Sequence, residues 1–148
     1  MNFFLDCEFD VPSNQLISVG IVSEDGNREF YEVVEHPNIQ DEWVIANVIP
    51  ILGKKAISRE EYQASLVKWC SQFVKMNIIV NHPNDLVFFN SSLICGDAGE
   101  WLELPPLTFT IDRDLSGKGS KLLHNALADS WATREDWLKK QNMSIEEY

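Results

Sequence analysis

Three stretches rich in apolar residues open the chain, and short polar segments separate them. They cover Asn2–Phe9, Gln15–Ser23 and Arg28–Val34. The second is rich in β-branched residues, which strands favour. Asp25-Gly26 lies between the second and the third, and this pair is a strong hairpin signal because it accepts the positive φ of a tight turn. The pattern predicts three antiparallel strands connected as a meander.

Helical periodicity follows the meander. Ser58 and Glu61 have the spacing of a capping box, which marks the start of a helix. Behind them, apolar residues recur on one helical face: Tyr62, Leu66, Trp69 and Phe73. The box and the spacing together predict a helix at this point.

The rest of the chain alternates between shorter patterns of both kinds. They predict a short helix within Asp41–Leu52 that breaks near Pro50, a buried strand at Asn77–Val80, a helix from about Asp85 to Cys95, a loop at Gly96–Pro106, a strand at Leu107–Ile111, a polar and mobile segment at Asp112–Lys121, and a helix over about Asn125–Gln141. The last residues, about 142–148, are expected to fray.

The predicted order of elements is β-β-β-α-β-α-β-α. Three meander strands, followed by two strands that helical crossovers reach, give an α/β fold with a five-stranded mixed sheet flanked by helices. This is the order of a ribonuclease-H-like fold. The 148 residues are expected to form one domain around one hydrophobic core, because a chain of this length matches a single domain.

The charge of the chain limits its partners. It carries 12 Lys and Arg against 23 Asp and Glu, a formal net charge of −11. Proteins that bind long nucleic acids through the phosphates need a basic surface. We therefore expect some of the acids to hold metal ions, and any binding of nucleotides to be weak, salt-sensitive and limited to a few of them.

The cysteines of the chain and the lengths of its apolar stretches indicate its cellular compartment. Cys7, Cys70 and Cys95 are scattered, odd in number and outside CxxC spacing, which fits free and mostly buried thiols in a reducing cytoplasm. No apolar stretch reaches the length of a membrane span. Asp6 and Glu8 interrupt the first apolar run, so it is expected to be a strand and not a signal peptide. We predict a cytoplasmic protein without a membrane partner.

Asp6 and Glu8 stand one residue apart inside the first predicted strand. Residues two apart on a strand share a face, so the two carboxylates converge while Cys7 points the other way into a core. Carboxylates are ligands that hard divalent cations prefer. Unpaired acids are costly to bury in a central strand, and a bound metal would remove that cost. The alternative is an edge strand with two solvated acids.

His124 and Asp129 stand five residues apart near the other end. On one helix they would lie about 140° apart and would not share a face. A better arrangement places Asp129 in the last helix and His124 in the loop before it, where Gly117 and Gly119 give freedom to move. Histidine, with an ordinary pKa of about 6.5, suits a general base at neutral pH. A surface histidine near a helix start is the alternative.

A third acid is expected from the middle of the chain. Asp85 follows the buried strand, and α/β sheets gather their sites at the carboxyl ends of strands. It would also lie in the first turn of the next helix, an ordinary place for an acid near the helix dipole. Three other acids compete with it for the role: Asp97, Asp112 and Asp114. His82 is close to Asp85 in sequence and could line the site.

These motifs resemble, in order and context, those of the DEDDh 3′–5′ exonuclease superfamily, which includes RNase T, oligoribonuclease and proofreading subunits. In particular the chain resembles the short RNase-T-like 3′–5′ exoribonucleases of bacteria and phages. WVIANVIPIL after the meander and LPP before the fifth strand are further similarities, so the resemblance spans nearly the whole chain. The motifs that carry it are Asp6-x-Glu8 followed by LISVGIV, Asn81-x-x-x-Asp85, and His124-x-x-x-x-Asp129.

The resemblance implies hydrolysis of phosphodiesters by a two-metal mechanism with Mg²⁺ or Mn²⁺. It implies that Asp6, Glu8 and Asp129 hold one ion and that Asp6 bridges to the second. Asp85 supports the second ion directly or through water, and His124 deprotonates the attacking water. The implied substrates are 3′ ends of single-stranded RNA or short oligonucleotides, and the products are nucleoside 5′-monophosphates. A homodimer is expected by analogy alone.

Two alternatives stay open at this point. No residue visibly reads a 2′-hydroxyl, so a single-strand DNA 3′–5′ exonuclease of the same fold remains. At the second motif the sequence departs from the family, because Asn84 replaces the aromatic residue that usually precedes the acid. That departure and the acidic surface would also suit a catalytically inactive ribonuclease-H-like binding module.

Overall fold

The computed structural model describes residues 1–146 of the chain. A short 3-10 helix over Ile49–Ile51 follows the first α-helix. The other elements are β1 Asn2–Asp10, β2 Gln15–Ser23, β3 Glu29–Val33, α1 Glu42–Asn47, α2 Arg59–Cys70, β4 Met76–Val80, α3 Pro83–Ser92, β5 Ile94–Cys95, β6 Glu100–Trp101, β7 Leu107–Ile111 and α4 Ala126–Glu146.

Five of the strands form one sheet in the order β3-β2-β1-β4-β7. The pairs β1–β2 and β2–β3 are antiparallel, whereas β1–β4 and β4–β7 are parallel. The predicted α/β architecture with a five-stranded mixed sheet flanked by helices is therefore confirmed, as is the meander. Strand β1, which carries Asp6 and Glu8, is the central strand of the sheet.

The helix predicted from the Ser58–Glu61 capping box is confirmed, and so is the capping box itself. Ser58 Oγ accepts from the Glu61 N–H at 3.1 Å, and the Ser58 N–H donates to Glu61 Oε1 at 3.3 Å. This reciprocal capping box begins α2, whose Tyr62 and Leu66 are fully buried against the sheet. The helix is positioned by both its cap and its apolar face.

Two predicted boundaries near α3 are wrong. The helix begins at Pro83, because proline is favoured at the first helical position, and it ends at Ser92 before the expected end at Cys95. The expected loop at Gly96–Pro106 contains a two-stranded hairpin of β5 and β6. Gly96 and Gly99 close this hairpin with φ values of +69° and +71°, a conformation that glycine adopts without strain.

The C-terminal helix is longer than the sequence pattern indicated. Helix α4 continues to Glu146, so residues 142–146, expected to fray, are helical, and the last two residues lie outside the described part of the chain. The polar segment before α4 was expected to be mobile, but Leu115 within it is buried with Phe4, Val22 and Ile79. None of the helices between residues 1 and 146 has the length and apolar character needed to cross a membrane.

Candidate metal centre

Three carboxylates meet on one face of the sheet. Asp6, Glu8 and Asp129 each bring an oxygen to within 4.8 Å of the others. Asp6 Oδ2 and Asp129 Oδ1 are buried, and neither has a hydrogen-bond partner among the described residues. A buried carboxylate oxygen without a partner is costly. The donor set, three acids with two unsatisfied buried oxygens, fits a hard divalent cation.

The position of Asp129 depends on a glycine in the neighbouring strand. Asp6 pairs with Gly20 of β2, and a Cβ on Gly20 would lie 2.5 Å from the backbone of Ala126 and Leu127 in α4. Ser130 Oγ donates to the Gly20 carbonyl at 2.8 Å. Helix α4 can therefore lie directly on β2 and bring Asp129 to Asp6. This role of Gly20 was not predicted from the sequence, although an isolated glycine inside a strand pattern is a signal of close backbone approach.

A β-bulge lies beside Glu8. Glu8 pairs with Ser18 and Phe9 with Leu16, so Ile17 is the extra residue of β2. Bulges are frequent next to active sites, where they redirect side chains. The Ser18 Oγ is fully buried opposite Glu8 and has no hydrogen-bond partner among the described residues. Within residues 1–146, the third buried side-chain oxygen without a hydrogen-bond partner thus also lies next to the carboxylates.

Asp85 lies in the first turn of α3, and its side chain forms a hydrogen bond with the central strand β1. It is only 3% exposed, and its Oδ1 accepts from the Cys7 N–H at 3.0 Å. The pairing of β1 with β4 ends at Phe4, so the carboxylate satisfies a donor that the sheet leaves free. The N-cap of α3 is His82, whose Nδ1 accepts from the Asn84 N–H at 3.0 Å. Asp85 is therefore not the helix cap, and the exposed His82 caps α3.

Burial and mutual repulsion raise the pKa of the clustered acids. Burial raises the pKa of Asp6 well above its usual range, and the nearby carboxylates, Asp85 first among them, raise it further. Burial, followed by the charges of Asp129 and Asp85, raises the pKa of Glu8 to about 8. Burial raises the pKa of Asp85 to about 7, although the Cys7 N–H lowers it in part. A bound cation would relieve this repulsion.

His124 lies in the loop before α4, as its spacing from Asp129 predicted. Its φ is +75°, and its backbone N–H donates to Asp129 Oδ2 at 3.1 Å. Its ring packs edge-to-face on Trp43 of α1, with centroids 4.7 Å apart and an interplanar angle of 80°. Trp43 is 51% exposed. Trp43 was not predicted from the sequence to contact His124, because only the tertiary fold brings α1 to this loop.

A polar bridge fixes the start of α4 to the meander. Asn125 Oδ1 accepts from the Ala128 N–H at 3.1 Å, and its Nδ2 donates to the Tyr31 hydroxyl at 3.2 Å. Tyr31 in turn donates to the Leu52 carbonyl at 2.7 Å. Asn125 and Tyr31 were not identified from sequence, and no local pattern distinguishes them from ordinary polar residues.

The competing acids lie outside this cluster. Asp97 is exposed in the hairpin turn. Asp112 Oδ1 accepts from the N–H of Asp114, which is exposed. Among the acids weighed for the middle position, Asp85 is the one whose charge acts on Asp6 and Glu8. Comparisons with protein-family models, curated proteins and solved structures gave no match for this chain.

Proposed function

We propose that this chain is a metal-dependent 3′–5′ exonuclease of ribonuclease-H-like fold that acts on RNA. The sheet order β3-β2-β1-β4-β7, with an antiparallel meander followed by two parallel strands, is compatible with that fold. The motifs that resemble the DEDDh exonucleases supply every residue of the cluster described above. The proposal rests on sequence resemblance and site geometry together, since fold alone does not determine function.

One observation carries the proposal. Carboxylates from distant parts of the sequence, Asp6 and Glu8 on β1 and Asp129 on α4, converge within 4.8 Å, and two of their oxygens are buried without a partner. Solvated surface acids would not leave oxygens in this state, because water would satisfy them. A cluster that is unfavourable when empty is suited to binding a cation.

Asp6, Glu8 and Asp129 would hold a divalent ion, and Asp85 would support a second one. When bound, a pair of such ions lowers the pKa of a water molecule and stabilises the charge that develops on the leaving oxygen. The contribution of the chain itself is to keep four carboxylates oriented. Asp85 is held by the Cys7 N–H, and Asp129 by the His124 N–H.

His124 would act as the general base. Its backbone N–H donates to Asp129 Oδ2 at 3.1 Å, and its ring packs against that of Trp43. Imidazole accepts a proton near neutral pH. The contacts of His124 with Asp129 and with the exposed Trp43 support this role.

The net charge of −11 favours a short substrate segment. A surface with so few cations has little counterion release to gain from a long nucleic acid. We expect the protein to contact the last few nucleotides of a single strand, and to bind them weakly and less tightly as salt rises.

The decisive experiment is hydrolysis of 3′-labelled and 5′-labelled RNA with Mg²⁺ or Mn²⁺. Wild-type protein should release nucleoside 5′-monophosphates stepwise from the 3′ end, and Asp6→Ala and His124→Ala should lose this activity. Asp97→Ala, which removes an exposed acid outside the cluster, is the matched control. Full activity in Asp6→Ala would refute the proposal.

The same assay distinguishes the two remaining alternatives. A strong preference for a DNA oligonucleotide of matched sequence would make the protein a DNA exonuclease of the same fold. No hydrolysis of either strand, together with no uptake of Mn²⁺ in calorimetry, would make it a binding module that lacks catalysis.

A further inference from the structure

A cavity lies between the loop before α4, residues 112–125, and one side of that helix. Its volume is about 520 Å³, within the range of about 300–1,000 Å³ that is usual for cavities holding small ligands. Residues 119–121 of the loop form one wall. The helix contributes apolar side chains to the other wall, namely Leu127, Ala128, Trp131 and Ala132. None of the clustered carboxylates lines this cavity, so it is distinct from the metal centre.

The loop contacts Asp129 of the candidate metal centre at two positions. A Cβ on Gly117 would lie 3.8 Å from the Asp129 Cβ, and the His124 N–H donates to Asp129 Oδ2 at 3.1 Å. Residues 119–121, which line the cavity, lie between these two contacts along the chain. Asn125, which directly follows His124, lines the cavity as well. The cavity therefore borders the metal centre through a shared loop.

The same loop carries two lysines without an acidic partner. Lys118 and Lys121 are exposed, and neither forms an ion pair within residues 1–146. Lys121 lines the cavity. Glu135 lines it too, but this acid is paired with Arg134 at 2.5 Å. An unpaired cation beside a cavity favours an anionic ligand.

Trp131 gives the cavity a rigid aromatic wall. Its Nε1 donates to Glu29 Oε2 at 2.8 Å, and the guanidinium carbon of Arg134 lies 5.3 Å from the ring centroid. A Cβ on Gly26 would lie 3.3 Å from the indole. A side chain held at several points loses little conformational freedom when it binds a ligand. Nucleobases of every kind stack on aromatic side chains.

We propose that this cavity binds the nucleotide that precedes the cleaved one in a single strand of RNA, with its base against Trp131 and its phosphate at Lys121. The inference rests on the proposed nuclease function and names where the strand beyond the cleaved nucleotide binds. A cation for the phosphate and an aromatic wall for the base together form a single-strand site that tolerates any base. Such a site adds few phosphate contacts, which is consistent with a chain of net charge −11.

A substrate that lacks the preceding nucleotide isolates this subsite. The p-nitrophenyl ester of uridine 5′-monophosphate offers a phosphodiester to the metal centre but no nucleotide to the cavity, whereas an RNA hexanucleotide offers both. The ratio of kcat/KM for the hexanucleotide to kcat/KM for the ester should fall about fivefold in Lys121→Gln, as for the loss of an exposed ion pair. Lys68→Gln removes an exposed lysine of α2 and should keep the wild-type ratio.

Binding without hydrolysis is measured by fluorescence anisotropy of a 5′-labelled RNA hexanucleotide in EDTA. Lys121→Gln should lower the magnitude of the slope of log K against log[salt] by about 0.7, the contribution of one phosphate contact in a single strand. Trp131→Leu should weaken binding at least about fivefold through the loss of stacking and leave the slope unchanged. Trp101→Leu, which removes a tryptophan that is 76% exposed in the hairpin of β5 and β6, should bind like the wild type.

Far-UV circular dichroism checks that each variant is folded. Should Trp131→Leu be unfolded, Ala132→Glu takes its place, because a negative charge in the cavity should repel the phosphate and weaken RNA binding. A kcat/KM ratio and a salt slope that stay at the wild-type values in Lys121→Gln would overturn the subsite. Wild-type affinity in a folded Trp131→Leu protein would overturn it as well.

The nuclease and the subsite fail in different ways. If the wild-type protein hydrolyses neither the RNA nor the ester, the nuclease is refuted, while a salt slope that depends on Lys121 would still support a nucleotide site in the cavity. Hydrolysis of both substrates, with no effect of Lys121→Gln on the ratio or the slope, refutes the subsite alone. Absence of both hydrolysis and RNA binding would overturn both. Equal competition by polyglutamate against the labelled RNA would assign the cavity to an acidic peptide and overturn the subsite.

Discussion

Asp6 pairs with Gly20 across the β1–β2 ladder, and the first turn of α4 lies on that glycine. This relationship joins the first and the last motif of the chain. The absence of a side chain on Gly20 lets the backbone of α4 approach the sheet, and this approach brings Asp129 to the carboxylate of Asp6. The geometry of the candidate metal centre thus depends on a residue that cannot itself bind a metal.

Gly20→Ala should weaken metal binding and lower stability. Its new Cβ would lie 2.5 Å from backbone atoms of Ala126 and Leu127, so α4 must move away from β2. We expect a loss of about 1–3 kcal/mol in the free energy of unfolding, as for other overpacked sites. Mn²⁺ affinity should fall as well, because Asp129 moves with the helix. Urea denaturation and calorimetry measure the two effects.

Gly119→Ala is the matched control for this substitution. A Cβ at Gly119 meets no atom within 4 Å, so neither stability nor Mn²⁺ affinity should decrease. Unchanged Mn²⁺ binding in a folded Gly20→Ala protein would show that the contact between α4 and β2 does not position Asp129.

Divalent cations should stabilise the wild-type protein against thermal unfolding. A ligand that binds only the folded state, present at about 100 times its Kd, adds about 2.7 kcal/mol to the free energy of unfolding. Asp6→Asn should largely abolish the increase in Tm on addition of Mn²⁺, because it removes one charge from the cluster. Asp97→Asn should retain it, since Asp97 is exposed in the hairpin turn. Equal Mn²⁺-induced shifts in both variants would contradict a site at Asp6.

The metal-free protein should lose stability as the pH rises. Burial and neighbouring charges raise the pKa of Glu8 to about 8 and that of Asp85 to about 7 in the folded state. Ordinary values in unfolded chains are about 4, so the folded state binds more protons between these values. The free energy of unfolding is therefore highest in mild acid and decreases as the pH rises through the folded pKa values.

Denaturation in the presence of a chelator measures this dependence. Stability should be greater at about pH 5 than at about pH 9, and Glu8→Gln should make the dependence shallower because the raised carboxyl is gone. Addition of Mg²⁺ to the wild-type protein should also flatten it. A metal-free protein that becomes more stable on going to alkaline pH would contradict the raised pKa values.

Asp85→Asn should separate the charge of this residue from its structural role. The amide oxygen can still accept from the Cys7 N–H, so the fold should be retained, while nuclease activity should fall because the negative charge is lost. Asp85→Ala leaves that buried N–H without a partner and should in addition lower the free energy of unfolding by about 1–3 kcal/mol. Asp112→Asn, at an acid outside the cluster, should preserve both activity and stability; loss of activity there instead would assign the middle acid to Asp112.

Trp43→Ala should lower kcat with little effect on stability. Trp43 is half exposed, and its ring supports that of His124, so its removal leaves the proposed base without its packing partner. Trp43→Phe keeps an aromatic face and should retain more activity. Ile45→Ala truncates another exposed residue of α1 and serves as the control. Steady-state kinetics on a short RNA would measure the effect, and equal kcat values in all three variants would contradict it.

Local patterns in the sequence were sufficient to predict the five strands of the main sheet, the α2 cap and the position of Asp6 and Glu8 on one face of β1. Each depends on residues within a few positions of one another, and alternation or capping chemistry fixes them directly. The hairpin of β5 and β6 was missed because its strands are two residues long, too short for alternation to be visible. The length of α4 was underestimated because its C-terminal part lacks an apolar stripe.

The sequence alone identified the candidate acids and the candidate histidine of the site. Spacing in the sequence decides whether two side chains share a face of a strand or helix, and whether a residue precedes a helix or lies within it. Only the tertiary structure decided that Asp129 reaches Asp6, that Asp85 binds the Cys7 N–H and that Trp43 contacts His124. The residues in these contacts lie far apart in sequence, and the smallest separation among them is the 78 positions between Cys7 and Asp85. They follow from how closely α4 and α3 approach the sheet, a property of the packed core and of Gly20 that no local pattern encodes.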